Sequence, residues 1–148
     1  MMKLTGLWAI ALALLAAPAA AATLSFAAPA AAVRTGDTFT LDVLVADVVD
    51  LYAFQFDVSF DPAILQADPV LEGNFLSAGG RATLFWPGSI DNGTGTLAFT
   101  ASTLTGPGPG VGGDGWLVQL SFHALTPGQS TLAFGNVVLL DSALADIA

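Results

Sequence analysis

The 148-residue chain has no cysteine. No disulfide can fasten its fold, and thiolate chemistry and cysteine-bound metal centres are excluded. Cations are almost as scarce: three Lys and Arg stand against twelve Asp and Glu. Nucleic acid binding needs clustered Lys and Arg to neutralise phosphate, so that class is excluded, and an anionic membrane surface is disfavoured for the same reason. His123 is the only histidine and Glu72 the only glutamate. Few groups remain for acid–base catalysis, so no catalytic residues are assigned and the chain is read as a non-enzyme. No stretch beyond the N-terminus keeps a helical period for three turns.

The N-terminus is the exception. Met1, Met2 and Lys3 form a short cationic start, residues 4–15 are nearly all apolar, and Pro18 precedes a tract of alanines. That order is a secretory signal peptide, with Ala20-Ala21-Ala22 as the small-residue cleavage site. Residues 1–22 are therefore expected to be removed. An uncleaved anchor is the weaker reading, because Gly6 and Pro18 interrupt a barely sufficient span. The remainder, residues 23–148, is one domain long, carries Arg34 and Arg81 against the twelve acids, and has a net charge of −10. An exported domain without disulfides must be held by its core, and the chain, 54% apolar over its full length, has the material for one.

What the chain has in abundance is period two. Phe39, Leu41, Val43 and Val45 alternate with polar residues, with Val48-Val49-Asp50 as a break. Then Phe54, Phe56, Val58 and Phe60 fall on one side of an extended segment, with Ala53, Gln55, Asp57, Ser59 and Asp61 on the other. Residues 83–86 are short and aromatic; residues 95–103 place Leu97, Phe99 and Ala101 together; Trp116, Val118, Leu120 and Phe122 alternate again; Leu132, Phe134 and residues 137–140 close the set. The breaks are Asp-Pro at 61 and 68, Pro-Gly at 87 and 127, and Asp-Asn-Gly at 91. Seven to nine short strands with no helix between them predict an all-β antiparallel sandwich. One helical turn at residues 63–65, after Pro62, is the only helix expected.

Several motifs carry less than their letters suggest. Gly106 to Gly115 matches the glycine spacing of a dinucleotide loop, but a β-pattern follows it where a helix must open, so it reads as a long inter-strand loop. His123 points away from the core at a strand end. The aspartates lack the alternating spacing of a calcium loop and read as turn formers, so no metal or other cofactor is expected. Asn92-Gly93-Thr94 fits a glycosylation pattern, yet Asp-Asn-Gly is first a hairpin turn. Trp116 reads as core. Tyr52 and Trp86 are the aromatics placed to stack on a sugar ring, with packing as the competing role.

The order of segments, "GDTFTLDVLVADVVDLYAFQFDVSFDPAIL", "GNFL", "GTGTLAFTAS", a glycine-rich loop into "GDGWLVQLSFHALTPGQSTLAF", and "VVLLDS", resembles the cohesin domain family from about residue 24 to 147. The resemblance implies a nine-stranded jelly-roll β-sandwich, related in fold to carbohydrate-binding modules. It also implies a non-catalytic receptor that binds dockerin modules in polysaccharide-degrading or cell-surface assemblies. The implied partner-binding positions are Ala53, Gln55, Asp57 and Ser59. Dockerin-binding members often carry Asn or Asp near the start of this row, where Ala53 and Gln55 stand here. The chain resembles the cohesin-like domains that occur outside cellulosomes in secreted or surface proteins. The expected product is a secreted bacterial monomer, attached to the cell surface if an anchor lies beyond residue 148. Its partner is a dockerin-like or other secreted protein; the alternative is a carbohydrate-binding module using Tyr52 and Trp86 on polysaccharide.

Overall fold

The computed structural model describes residues 21–148. The expected signal peptide lies almost wholly outside the described residues. Nine strands follow one another: β1 Thr23–Phe26, β2 Thr38–Leu51, β3 Ala53–Ser59, β4 Leu65–Glu72, β5 Thr83–Trp86, β6 Ser89–Asp91, β7 Thr96–Leu104, β8 Val111–Ala124 and β9 Ala133–Leu140. They form two antiparallel sheets, one ordered β1-β2-β8-β4 and the other β5-β7-β3-β9 with β6 also on β7. The all-β sandwich predicted from period two is what forms.

The inward rows meet between the sheets. Phe54, Phe56, Val58 and Phe60 of the second alternating segment are all buried, facing Leu41, Val43, Val45, Leu120 and Phe122. Phe60 meets Phe122 edge-on at 5.5 Å, and Phe56 meets Phe134 at 5.6 Å. Such pairs add about 0.5–1.5 kcal/mol each beyond area burial. Only Tyr52 separates β2 from β3, so the chain changes sheet within one residue. Its N–H donates to the Leu140 carbonyl (2.8 Å) and its carbonyl accepts from Leu104 (2.9 Å), so Tyr52 already pairs within the second sheet.

The structure departs from the sequence reading where strands are bent by their partners. Val48-Val49-Asp50 is no break: β2 continues past a left-handed Asp47 (φ 60°), whose N–H donates to Asp114 Oδ1 (2.8 Å). Because that tail needs a partner, β8 starts at Val111, pairing Leu51 with Val111 and Val48 with Gly113. The glycine-rich loop is thus shorter than expected, residues 105–110. Trp116 is only half-buried, since a register slip beside Val43 puts Leu117 and Val118 both inside. Asp68-Pro69 lies within β4, where a proline is tolerated because β4 is a sheet edge. Residues 61–65 make one turn, with Leu65 N–H on the Asp61 carbonyl (2.9 Å), but pairing with Ala124 draws Leu65 into β4. The helical piece is instead a 3-10 turn at Leu76–Gly79.

Carboxylates and one guanidinium tie the connections down. Asp50 accepts from Gly110 N–H (2.5 Å), Ser142 N–H (3.2 Å) and Ser142 Oγ–H (2.5 Å). Arg81 donates to the carbonyls of Thr105 (3.1 Å), Gly106 (2.9 Å), Pro107 (3.5 Å) and Pro109 (2.5 Å), and its guanidinium lies 5.4 Å over the Tyr52 ring. Glu72 crosses between sheets, accepting from the buried Ser102 hydroxyl (2.6 Å) and from Thr83 (3.0 Å). Asn92 pairs with the backbone of Ala67 on β4 in both directions, at 2.7 and 3.1 Å. The turn itself is closed by Asp91, whose Oδ1 accepts from Gly93 N–H (2.9 Å) and Thr94 N–H (3.1 Å), as the hairpin reading expects.

The Ser142 hydroxyl first, and then the Gly110 N–H, hold the Asp50 carboxyl below the usual aspartate range. A carboxyl lowered in the folded state stabilises above its unfolded pKa of about 3.9 and loses that contribution as pH falls through the folded value. Wild type should therefore melt above Asp50→Asn at pH 7, and the gap should close as pH drops below about 3.9. Thermal melts of both proteins from pH 7 to pH 2.5 measure it; a gap that persists at the acid end would refute this role for Asp50.

Candidate functional site

The outer face of the second sheet is built by pairing alone. Leu84, Thr103, Ala53 and Leu140 lie in one row across β5, β7, β3 and β9. Trp86, Ala101, Gln55 and Val138 form the next. Every second residue of a strand shares a face, so these eight side chains stand together, opposite the buried Phe54 and Phe56. Leu84 (53%), Phe99 (52%) and Trp86 (46%) are the large apolar side chains most exposed on this sheet. Between Trp86, Ala53, Ala101, Gln55 and Val138 lies a hollow of about 170 Å³, open because two of its walls are alanine.

The sequence-predicted positions fall on this face. Ala53, Gln55 and Asp57 are half-buried and Ser59 is exposed. They are not equivalent. The Asp57 carboxylate is occupied: Oδ1 accepts from Phe99 N–H (2.7 Å) and Oδ2 from Asn136 Nδ2–H (2.6 Å). Phe99 (φ 58°) and Asn136 (φ 48°) are both left-handed, and both neighbouring strands slip register beside Asp57. One carboxylate thus fastens a bulge on each side of the central strand. The bulge turns Phe99 outward, where the sequence reading had it facing inward with Leu97, and sends Thr100 and Ser102 inside. Its extra residue is also why period two, continued through residues 95–103, fails halfway.

Leu84, Phe99, Val138 and Leu140 belong to the face but were not singled out from sequence. Asn136 after Gly135 was the available signal, because Asn tolerates a left-handed backbone and marks a bulge. Tyr52 and Trp86 separate. The Tyr52 hydroxyl donates to the Gly106 carbonyl and Arg81 covers its ring, so it is committed to the loop. Trp86 stays half-exposed beside the hollow. His123 is half-buried with Thr38 Oγ1 3.3 Å from its Nδ1. Among the described residues no three His, Cys, Asp or Glu side chains gather as a metal site.

The family model of the Cohesin domain matches residues 24–147, nearly all of the described chain. The chain belongs to the cohesin domain family. No curated protein matches it. Among solved structures, this cohesin is similar to the second type II cohesin module of the adaptor ScaA scaffoldin from Acetivibrio cellulolyticus (TM-score 0.69, 15% identity, 86% of this chain and 89% of that one). It is similar to the cohesin of the type I Coh-OlpA–Doc918 cohesin–dockerin complex from Clostridium thermocellum (TM-score 0.67, 12% identity, 87% and 92%). It is also similar to a non-cellulosomal cohesin from the archaeon Archaeoglobus fulgidus (TM-score 0.62, 15% identity, 87% and 84%). At such identities the likeness is one of fold.

The geometry ranks three neighbours on β3. Phe56→Ala should cost about 3–5 kcal/mol through lost burial and a cavity. Asp57→Ala should cost about 1–3 kcal/mol by leaving the Phe99 N–H and the Asn136 amide without their acceptor. Gln55→Arg should stay within about 0.5 kcal/mol. Urea denaturation of the three variants gives the order; an Asp57→Ala as mild as Gln55→Arg would remove its bulge-fastening role.

Proposed function

We propose that this cohesin is a non-catalytic receptor that docks a dockerin-type protein module on the outer face of its second sheet. The observation that carries the reading is the chemistry of that face. The domain has a net charge near −10, yet the two rows around Ala53 and Gln55 contain no ionisable side chain, and the nearby Asp57 is held by two donors. Leu84 and Trp86 on β5 and Phe99 on β7 stand half out of the sheet beside β3. Three exposed large apolar side chains on a face whose central rows carry no charge, in an otherwise acidic domain, mark an interaction site. Desolvating it requires no charge to be stripped of water, so a helical module can lie across it with apolar contacts at the centre. Asn or Asp recognition near the start of the β3 row is replaced here by Ala53 and Gln55, which makes the contact one of shape and apolar burial.

The carbohydrate reading keeps only Trp86, since Tyr52 is spent on Arg81 and the Gly106 carbonyl. One aromatic beside a narrow hollow is a poor platform for a polysaccharide chain. The N-terminal pattern of residues 1–22 supports export, so the domain meets its partner outside the cytoplasm.

Two measurements test this. Immobilised domain, titrated with dockerin modules from the host's exported proteins, should bind at least one. Gln55→Arg and Ala53→Arg, which push a charge into the hollow from half-buried positions, should each weaken that binding at least about 30-fold with near-unchanged melting. A polysaccharide array should show no binding. Binding that survives both substitutions would place the partner elsewhere, and array binding abolished by Trp86→Ala would instead favour the sugar reading.

Export is checked separately by mass spectrometry of the product recovered outside the cell, which should begin at Thr23 or within a few residues of it. A product that retains residues 1–22 would overturn the signal-peptide reading.

A further inference from the structure

Away from the hollow beside Trp86, with which it shares no lining residue, a second region leaves the core open. The segment after β1, the turn between β3 and β4, and the segment between β8 and β9 surround a cavity of about 770 Å³. Its apolar lining includes Phe26, Phe39, Leu41, Ile64 and Leu132. Phe26, Phe39, Ile64 and Leu132 are only partly buried although they pack against the core, so the wall keeps unsatisfied apolar surface. A cavity in the range of about 300–1,000 Å³, mostly apolar with few polar groups, is the form a small-molecule site takes.

The polar groups in this wall are mostly spent. Ser130 Oγ accepts from Asp61 N–H (2.8 Å), and Thr126 Oγ1 donates to the Ala63 carbonyl (2.8 Å). The one ionisable side chain of the lining is Arg34, exposed at the mouth. Asp37 takes the backbone N–H of Arg34 (2.9 Å). The other arginine of the described residues, Arg81, donates to four carbonyls at the loop of residues 105–110. A chain that carries so few cations has thus set one at the rim of a large apolar cavity.

We propose that this cavity binds a soluble amphiphile with a single anionic head, of the fatty carboxylate kind, its tail among Phe26, Phe39, Ile64 and Leu132 and its head on Arg34. Charge narrows the class. The acidic domain repels polyanions and anionic bilayers, so the ligand must gain most of its affinity from its tail and carry one charge that a single guanidinium can meet. The site is independent of the dockerin-type face and of the Proposed function above.

The test uses purified protein with three probes of equal chain length, kept below their micelle concentrations: laurate, dodecanol and dodecyltrimethylammonium. Laurate should bind saturably, with amide shifts in nuclear magnetic resonance spectra centred on Gly36, Thr126 and Gly128 and none at Trp86. Arg34→Gln should weaken laurate roughly fivefold, the scale of one exposed ion pair, while leaving dodecanol unchanged. Ala28→Trp, at an exposed position of the rim, should weaken laurate and dodecanol alike. Equal loss of laurate and dodecanol on Arg34→Gln would remove the head-group role. Absence of saturable laurate binding, shifts centred on Trp86, or binding to phosphatidylglycerol vesicles in place of laurate would overturn the proposal.

Discussion

Two sheets face each other across a layer of phenylalanine, leucine and valine, and no disulfide joins them. That single apolar layer sets the terms for everything else. β3 contributes Phe54, Phe56 and Val58 to it from the centre of the second sheet, with β7 and β9 on either side. Because β3 is pinned from within, its outer side chains are held in fixed positions without contributing to the core themselves. A surface of that kind can change its chemistry while the fold stays the same, so Ala53 and Gln55 are free to vary without cost to the core.

The acidic composition has a structural use. Asp37, Asp61, Asp91, Asp141 and Asp146 accept backbone N–H groups within a few residues of themselves, closing turns. Asp50, Asp57, Asp114 and Glu72 reach further and join strands or sheets. A carboxylate that accepts N–H groups satisfies donors that bends and bulges leave unpaired. Reading the aspartates as turn formers was therefore sound, but it understated those that act across the sandwich.

The strands and their inward faces were legible because burial on one side imposes strict alternation, and β3 shows it most cleanly. What could not be read was set by neighbours. Phe99 turns outward because Asp57, forty-two residues earlier, takes its N–H. Gly112 and Gly113 lie in a strand because the bent end of β2 needs a partner, although glycine-rich sequence normally signals a loop. Pro69 sits inside β4 because no further strand pairs with that edge. In each case the local sequence is ambiguous and a distant strand decides. The candidate face was half visible for the same reason: the β3 row was found from its own alternation, whereas Leu84, Val138 and Leu140 join it only through pairing.

Asn92 has a consequence for how such molecules coexist at high concentration. A bare edge strand invites another chain to extend the sheet, and repeated addition leads to fibres. Here the amide of Asn92 imitates a peptide group against Ala67, and Pro69, two residues on, has no N–H to offer. The edge of β4 is thus closed by one side chain from the opposite sheet's hairpin. On that side of the first sheet, strand-by-strand growth is therefore blocked at Ala67 and Pro69 while the apolar face of the second sheet stays open to solvent.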